Sequence, residues 1–207
     1  MQQQAREQFY KTLNSLDVLK ALEITLASDN RRTKTASIDI LLFIVDFSPS
    51  MVREYMLQQL SNSDDNDSLL MNVIIEQMSC KNDPEMGNGV QLTGIIRTLL
   101  DPENMLASPK QSEKTDFLNF FYKHCMGTLI GPLLANTASD KPESNDDNCS
   151  VQLLSLILEL LSFCVECHTY HIKNYILHRD LLRRILVLMK SQHMFLVLCK
   201  SDNNQLL

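Results

Sequence analysis

The run Cys164-Val165-Glu166-Cys167-His168-Thr169-Tyr170-His171 is the densest set of side chains here that could do chemistry. It contains the string CxxCH, the attachment motif of c-type haem, and its sulfur and imidazole donors also suit zinc. On a continuing helix Cys164, Cys167, His168 and His171 stand at i, i+3, i+4 and i+7 and share one face, so two or three could reach one ion. A c-type haem is set aside because its attachment accompanies export, and the start Met1-Gln2-Gln3-Gln4-Ala5-Arg6 holds no apolar run of the signal-peptide kind. Structural zinc sites usually take ligand pairs from two chain segments, whereas this cluster is a single run. The competing reading makes Cys164 part of a buried apolar stripe, with His168, Tyr170 and His171 as a polar helix end. Cys164, Cys167, His168 and His171 are therefore the candidates of a metal-dependent or thiol enzyme, weighed against no metal, no cofactor and no catalytic residue.

Other constellations fall away on their spacing. An EF-hand starting at Asp64 would need Gly at its sixth position and Glu at its twelfth, where the chain has Leu69 and Ile75, so Asp64-Asp65-Asn66-Asp67 reads as a solvated turn. Gly87-Asn88-Gly89 reads as a turn too, with no strand before it and neither a third dinucleotide-motif Gly nor a P-loop Lys after it. There is no GxSxG, HExxH or kinase signature. Arg179, Arg183, Arg184 and Lys190 are a different matter, since Arg179 and Arg183 lie four apart and would share a helical face. Together with His168, His171 and Lys173 they form a candidate docking strip for an acidic protein partner, the alternative being an ordinary solvated face.

The elements that must hold these groups are helices. Apolar runs of helical spacing cover Phe9 to Ala27, Ile38 to Phe47, Met51 to Leu60, Leu69 to Met78, Val90 to Leu100 and Phe117 to Leu134, then Leu153 to Val165 and three shorter stretches, Ile172 to Leu177, Leu181 to Met189 and Phe195 to Cys199. No run of strand length alternates. Leu16 to Ala27 and Thr33 to Val45, joined by Ser28-Asp29-Asn30-Arg31-Arg32, read as an antiparallel pair whose outer faces only another pair can cover. Ser48 should cap the next helix with Pro49 at its first position, and Asp67 or Ser68 the one after. In Val151 to Val165 the polar residues Gln152, Ser155, Glu159 and Ser162 make one narrow stripe, which predicts a helix in the middle layer of the stack.

The expected fold is all-α, an armadillo/HEAT-like helical-repeat solenoid over 5–199. Segments 101–116 and 135–150, rich in Asn, Asp, Ser, Lys and Pro, are read as loops, the second as disordered, and 200–207 as a disordered tail. With 207 residues and 44% hydrophobic content, about five repeats of roughly 40 residues could form. A net charge of −6 and pI near 5.3 argue against a broad phosphate-binding surface, hence against direct nucleic-acid binding. Val151 to Val165 carries Glu159 and falls short of the roughly 20 apolar residues a membrane span needs, so no membrane is expected. The six cysteines read as reduced thiols of a soluble intracellular chain.

Longer strings carry a resemblance. Leu16-Asp17-Val18-Leu19-Lys20-Ala21-Leu22-Glu23-Ile24-Thr25-Leu26, Pro49-Ser50-Met51-Val52-Arg53-Glu54, Leu99-Leu100-Asp101-Pro102-Glu103-Asn104-Met105-Leu106-Ala107 and Phe117-Leu118-Asn119-Phe120-Phe121-Tyr122-Lys123-His124-Cys125-Met126 resemble the regulatory subunit 3 family of protein phosphatase 4, also called SMEK or Falafel. So do His168-Thr169-Tyr170-His171-Ile172-Lys173-Asn174-Tyr175-Ile176 and Leu181-Leu182-Arg183-Arg184-Ile185-Leu186-Val187-Leu188-Met189, so that the likeness covers Ala5 to Cys199. It implies the armadillo-like central domain of a non-catalytic subunit that directs a serine/threonine phosphatase to substrates in nucleus and cytoplasm. The implied partners are the phosphatase catalytic subunit, its scaffold subunit and other proteins or peptides. A generic armadillo-type adaptor without a phosphatase is the rival reading. The family's N-terminal motif-capturing domain and low-complexity tail have no counterpart in these residues, so a truncated or divergent member is expected. Cys167 stands where the family leads one to expect His, which weakens the metal reading.

Overall fold

The computed structural model describes residues 8, 12, 17–62, 69–78, 87–106, 112–138, 147–179, 181–183 and 186. Among them there are helices and turns and no strand. In chain order these are α1 (Val18–Leu26), α2 (Arg31–Phe47), α3 (Pro49–Asn62), α4 (Leu70–Glu76), α5 (Gly87–Leu100), α6 (Pro102–Leu106) and α7 (Glu113–Phe120). A π-helical turn (Phe121–Cys125) then leads into α8 (Met126–Ala138), followed by α9 (Asp147–Cys167) and α10 (Thr169–Arg179). The all-α stack of helical repeats is as the periodicity leads one to expect.

The first pair shows why these residues stop and start where they do. Asn30 sits in extended backbone ahead of α2, and its Oδ1 accepts the amides of Arg32 at 3.0 Å and Thr33 at 3.2 Å, satisfying two donors the helix cannot use. Arg31 and Arg32, read as part of the turn, are thereby already helical. At the other end Ser48 interrupts the chain, Pro49 opens α3, and the axes of α2 and α3 diverge by 110°. That bend returns the chain onto α5, so α2 and α3 both pack against it. The Gln59 side chain of α3 accepts the amide of Leu70 at 3.0 Å and donates to Glu23 of α1 at 2.9 Å, tying the start of α4 to the first pair. Tyr55 adds a bond to the same carboxylate at 3.3 Å.

The centre of the stack is α4 with α5. Leu70 through Ile75 are all buried, as a helix apolar on every side but for Asn72 must be, and α5 is in contact with α2, α3, α4, α6 and α9. The middle position expected of Val151 to Val165 thus belongs elsewhere. Among the described side chains of α9, Leu154, Ile157, Leu160, Leu161 and Cys164 are buried, against α5, α8 and α10, while Leu153, Leu156, Leu158 and Phe163 on its other faces are half-covered. Of the polar stripe of α9, Glu159 and Ser162 are exposed and Gln152 and Ser155 half-buried, and the exposed edge continues through Val165 to Cys167.

Several boundaries differ from expectation. The stretch 101–116 is not one loop: Asp101 Oδ1 accepts the amide of Glu103 at 2.8 Å, Pro102 suits the first helical position, and α6 forms between them and Leu106. Glu113 already belongs to α7. Gly87 to Gly89 form the first turn of α5 instead of a turn before it, with Asn88 buried and bonded to Thr35 at 3.3 Å. The single helix read over Phe117 to Leu134 contains a π-turn. In the second loop, α8 continues to Ala138 and α9 begins at Asp147, narrowing it from both sides. Residues 139–146, the turn at 64–67 with the caps Asp67 and Ser68, and the tail 200–207 lie outside the described residues. Among those described, no single helix is long and apolar enough to cross a membrane.

One polar contact crosses four of these helices. Arg53, on α3, is fully buried, and its Nε lies 2.5 Å from Oε1 of Glu113 in the first turn of α7. Its Nη2 donates to the carbonyl of Asn104 in α6 at 3.2 Å and its Nη1 reaches that of Leu99 in α5 at 3.5 Å. The guanidinium also stands 6.0 Å from the centre of the Phe117 ring. A charge so placed is tolerable only because its donors are met from several sides.

Candidate functional site

The helix of α9 ends at Cys167, and His168 is the junction before α10. Its amide still donates to the carbonyl of Cys164 at 2.8 Å, and its own carbonyl accepts from Ile172 at 3.0 Å, so the two helices meet without losing their end bonds. The imidazole turns inward and is 97% buried, its relative exposure being 3%. Nε2 lies 2.7 Å from the carbonyl oxygen of Leu100, which can only accept, so Nε2 carries the proton. Nδ1 is then the acceptor, and the Tyr122 hydroxyl, 3.4 Å away, donates to it. The ring meets those of Tyr122 and Phe163 edge to face at 6.1 and 5.7 Å.

This environment sets the protonation of the whole group. Burial lowers the His168 pKa, outweighing the bond to Leu100, with His171 and Lys114 pushing the same way. His171, stacked on Tyr122 at 5.5 Å, is lowered by burial and by Lys114. The Cys164 thiol, buried beside Tyr122, is pushed up to about 11 by desolvation, although the Tyr122 bond works against that. A protonated, enclosed thiol is a poor nucleophile and a poor ligand. Cys167 is exposed, and its thiol is raised by desolvation and then by the carboxylates of Asp101 and Glu166.

The four residues spaced for a metal are therefore not brought together. The break at His168 turns its ring into the core with both nitrogens engaged, Cys164 is enclosed, and Cys167 faces solvent. Among the described residues no three His, Cys, Asp or Glu side chains are placed to hold an ion. The polar helix end read for His168 is also corrected: a residue so buried cannot belong to a partner-binding strip, because its hydrogen bonds are spent inside the fold.

The rest of the basic strip lies on or beyond α10. Lys173 and Arg179 are exposed, the latter with its guanidinium 6.0 Å from the Tyr175 ring. His171 is half-buried, held by Tyr122. Arg183 is exposed, while Arg184 and Lys190 lie outside the described residues, as does Asp180 between Arg179 and the described stretch 181–183. Sequence reasoning missed Tyr122, which organises His168, His171, Cys164 and Tyr175 from the π-turn. The only signal would have been the aromatic run Phe117 to Tyr122, and it gives no hint of a π-turn.

A second concavity is apolar. A groove of about 270 Å³ runs between α4, α8 and α9, lined by Ile75, Met78, Leu129, Pro132, Leu153 and Ile157, with Thr128 and Glu76 at its edge. It holds no pair of groups that could act as acid and base together.

The comparisons with known proteins agree with one another. The family model described as "Phosphatase 4 regulatory subunit 3" matches residues 1–201. The chain is 54% identical over 198 residues to the serine/threonine-protein phosphatase 4 regulatory subunit 3 of Drosophila melanogaster, an alignment covering 96% of this chain and 20% of the fly protein. It is 40% identical over 207 residues to Protein PPP4R3C1 of Mus musculus, covering 96% of this chain and 25% of the mouse protein. The chain thus spans a fifth to a quarter of the length of these relatives. No solved structure matches it.

Proposed function

Since the chain belongs to the phosphatase 4 regulatory subunit 3 family, we propose that its helical stack is a non-catalytic regulatory element that binds a serine/threonine phosphatase catalytic subunit together with that enzyme's scaffold subunit and helps direct it to protein substrates. The observation that carries this reading is the 54% identity to the fly regulatory subunit sustained over 96% of the chain. The site chemistry supports it from the other side, because the one dense cluster of nucleophiles and bases is used for packing, with Cys164 enclosed and His168 hydrogen-bonded to Leu100. On this reading the chain supplies surface and no reacting group, and it works in nucleus and cytoplasm.

Size-exclusion chromatography of the purified chain with the catalytic and scaffold subunits tests the proposal. Co-elution as one species, retained on dilution, is the expected result. A folded chain that elutes alone would remove the phosphatase from the reading and leave a helical-repeat adaptor for other proteins or peptides.

A further inference from the structure

The outer face of α10 is built unlike the rest of the surface. Tyr170, Lys173 and Leu177 stand at i, i+3 and i+7, which places them on one side of the helix. Tyr170 is 74% and Leu177 70% exposed, the two largest exposures among the exposed large apolar side chains. Among the described residues five of the nine such side chains fall between Val165 and Leu186, so the apolar exposure is concentrated there and not scattered, as single surface hydrophobics normally are. The opposite side of the helix is fixed, with Ile172 buried and His171 and Tyr175 against Tyr122. The face is therefore presented on a supported element.

Its charge runs against that of the molecule. The chain carries a net charge of −6, yet Thr169–Arg179 contains Lys173 and Arg179 and no carboxylate, and the sequence beyond it sets Arg183 and Arg184 against the single carboxylate Asp180. Apolar anchors beside cations on a locally basic face are complementary to a segment that is itself amphipathic and acidic: its apolar side chains would cover Tyr170 and Leu177 while its carboxylates meet Lys173 and Arg179. We propose that the exposed face of α10 is a docking surface for an acidic amphipathic peptide segment of a partner protein. This goes beyond phosphatase binding and does not depend on it.

The test uses the whole 207-residue chain and a fluorescein-labelled amphipathic helix-forming peptide with Leu at its apolar positions and Glu at its polar ones, with a control carrying Lys in place of Glu. Fluorescence anisotropy should show saturable binding of the Glu peptide and none of the Lys peptide. K173E/R179E should weaken the Glu peptide roughly tenfold or more, since two charge contacts of ordinary strength turn repulsive. Tyr170→Ser combined with Leu177→Ser should weaken it comparably by removing the anchors. All four positions are exposed, so circular-dichroism melts of the variants should match the parent and separate loss of binding from loss of fold. Failure of the Glu peptide to bind, or binding that neither double variant changes, overturns the proposal. So does sedimentation equilibrium showing that the chain alone self-associates and that Tyr170→Ser/Leu177→Ser restores the monomer, because the occupant would then be a second copy.

Discussion

Two arginine–glutamate pairs of the same chemistry sit in opposite surroundings. Arg53 and Glu113 meet at 2.5 Å with side-chain exposures of 0% and 9%, and Arg97 and Glu159 meet at 2.6 Å with exposures of 47% and 51%. Both join helices far apart in sequence, α3 to α7 in one case and α5 to α9 in the other. In the buried pair every alternative to the partner has been removed, so the carbonyls of Leu99 and Asn104 are needed to satisfy the guanidinium. In the exposed pair water stands ready to replace either partner, and Arg97 also lies 5.3 Å from the Phe163 ring centre, a cation–π contact that does not need Glu159. Equal distance therefore does not mean equal consequence. One pair specifies how α3, α5, α6 and α7 meet, and the other decorates a contact that α5 and α9 make by apolar packing.

The sharpest way to break this contrast is to remove one member of the buried pair. Arg53→Ala leaves the Glu113 carboxylate enclosed without its cation and should cost about 3–5 kcal/mol, read as a lower midpoint in urea. Replacing both members by apolar residues of similar size, Arg53→Met with Glu113→Leu, removes the stranded charge and should recover most of that loss. If the double variant is as unstable as Arg53→Ala, the pair is not the reason the four helices need each other. Neither change touches α10, so peptide binding there should survive in whatever fraction remains folded.

The same contrast marks what the sequence could reveal. Helix identity was legible because it depends on local periodicity, and Pro49 opens α3 as its residue type predicts, whereas Asn30, read only as part of a turn, proves to be the cap of α2. Arg53 was not legible, since nothing near it distinguishes a buried arginine from one on a solvated face, and its partner lies sixty positions on. Likewise α6 hid inside a polar stretch because two residues, Asp101 and Pro102, suffice to start a helix there. His168 misled for a related reason. Its spacing from Cys164 suggested a shared face, but the break between α9 and α10 at that residue cancels the helical register on which the spacing argument rests. The central place of α4 was visible in the run Leu69 to Ile75, apolar but for Asn72, whereas the more conspicuous Val151 to Val165 drew the reading to α9.

His168 offers an intermediate case, buried like Arg53 but neutral. Its folded-state pKa lies below the ordinary value, so the unfolded chain binds more protons as acid is added. Stability should be unaffected by this group above about pH 6.5 and should fall as pH drops through that value toward the lowered folded-state pKa. His124 and His171 are lowered too and add slopes of the same sign. His168→Gln keeps an amide N–H for the Leu100 carbonyl and cannot titrate. Urea unfolding at pH 7.5 and 5.5 should show the parent losing stability on acidification and the variant losing less. Equal losses would mean that His168 does not carry its share of the proton linkage, and that the buried site opens to water before the imidazole charges.

The exposed pair supplies the smallest effect and the most discriminating control. A double-mutant cycle on Arg97→Ala and Glu159→Ala should give a coupling of about 0.2–1 kcal/mol at low salt, fading as added salt screens both charges. Arg97→Ala alone should cost more than Glu159→Ala, because it also removes the contact with Phe163. The corresponding cycle at Arg53 and Glu113 should show a larger coupling that salt hardly changes, since no counterion reaches a guanidinium with no exposed surface. Two cycles measured in the same buffers would thus separate charge from burial as the source of the difference. Couplings of similar size and similar salt dependence would mean that the Arg53 site is hydrated in solution, and the argument that it fixes the register of four helices would fail with it.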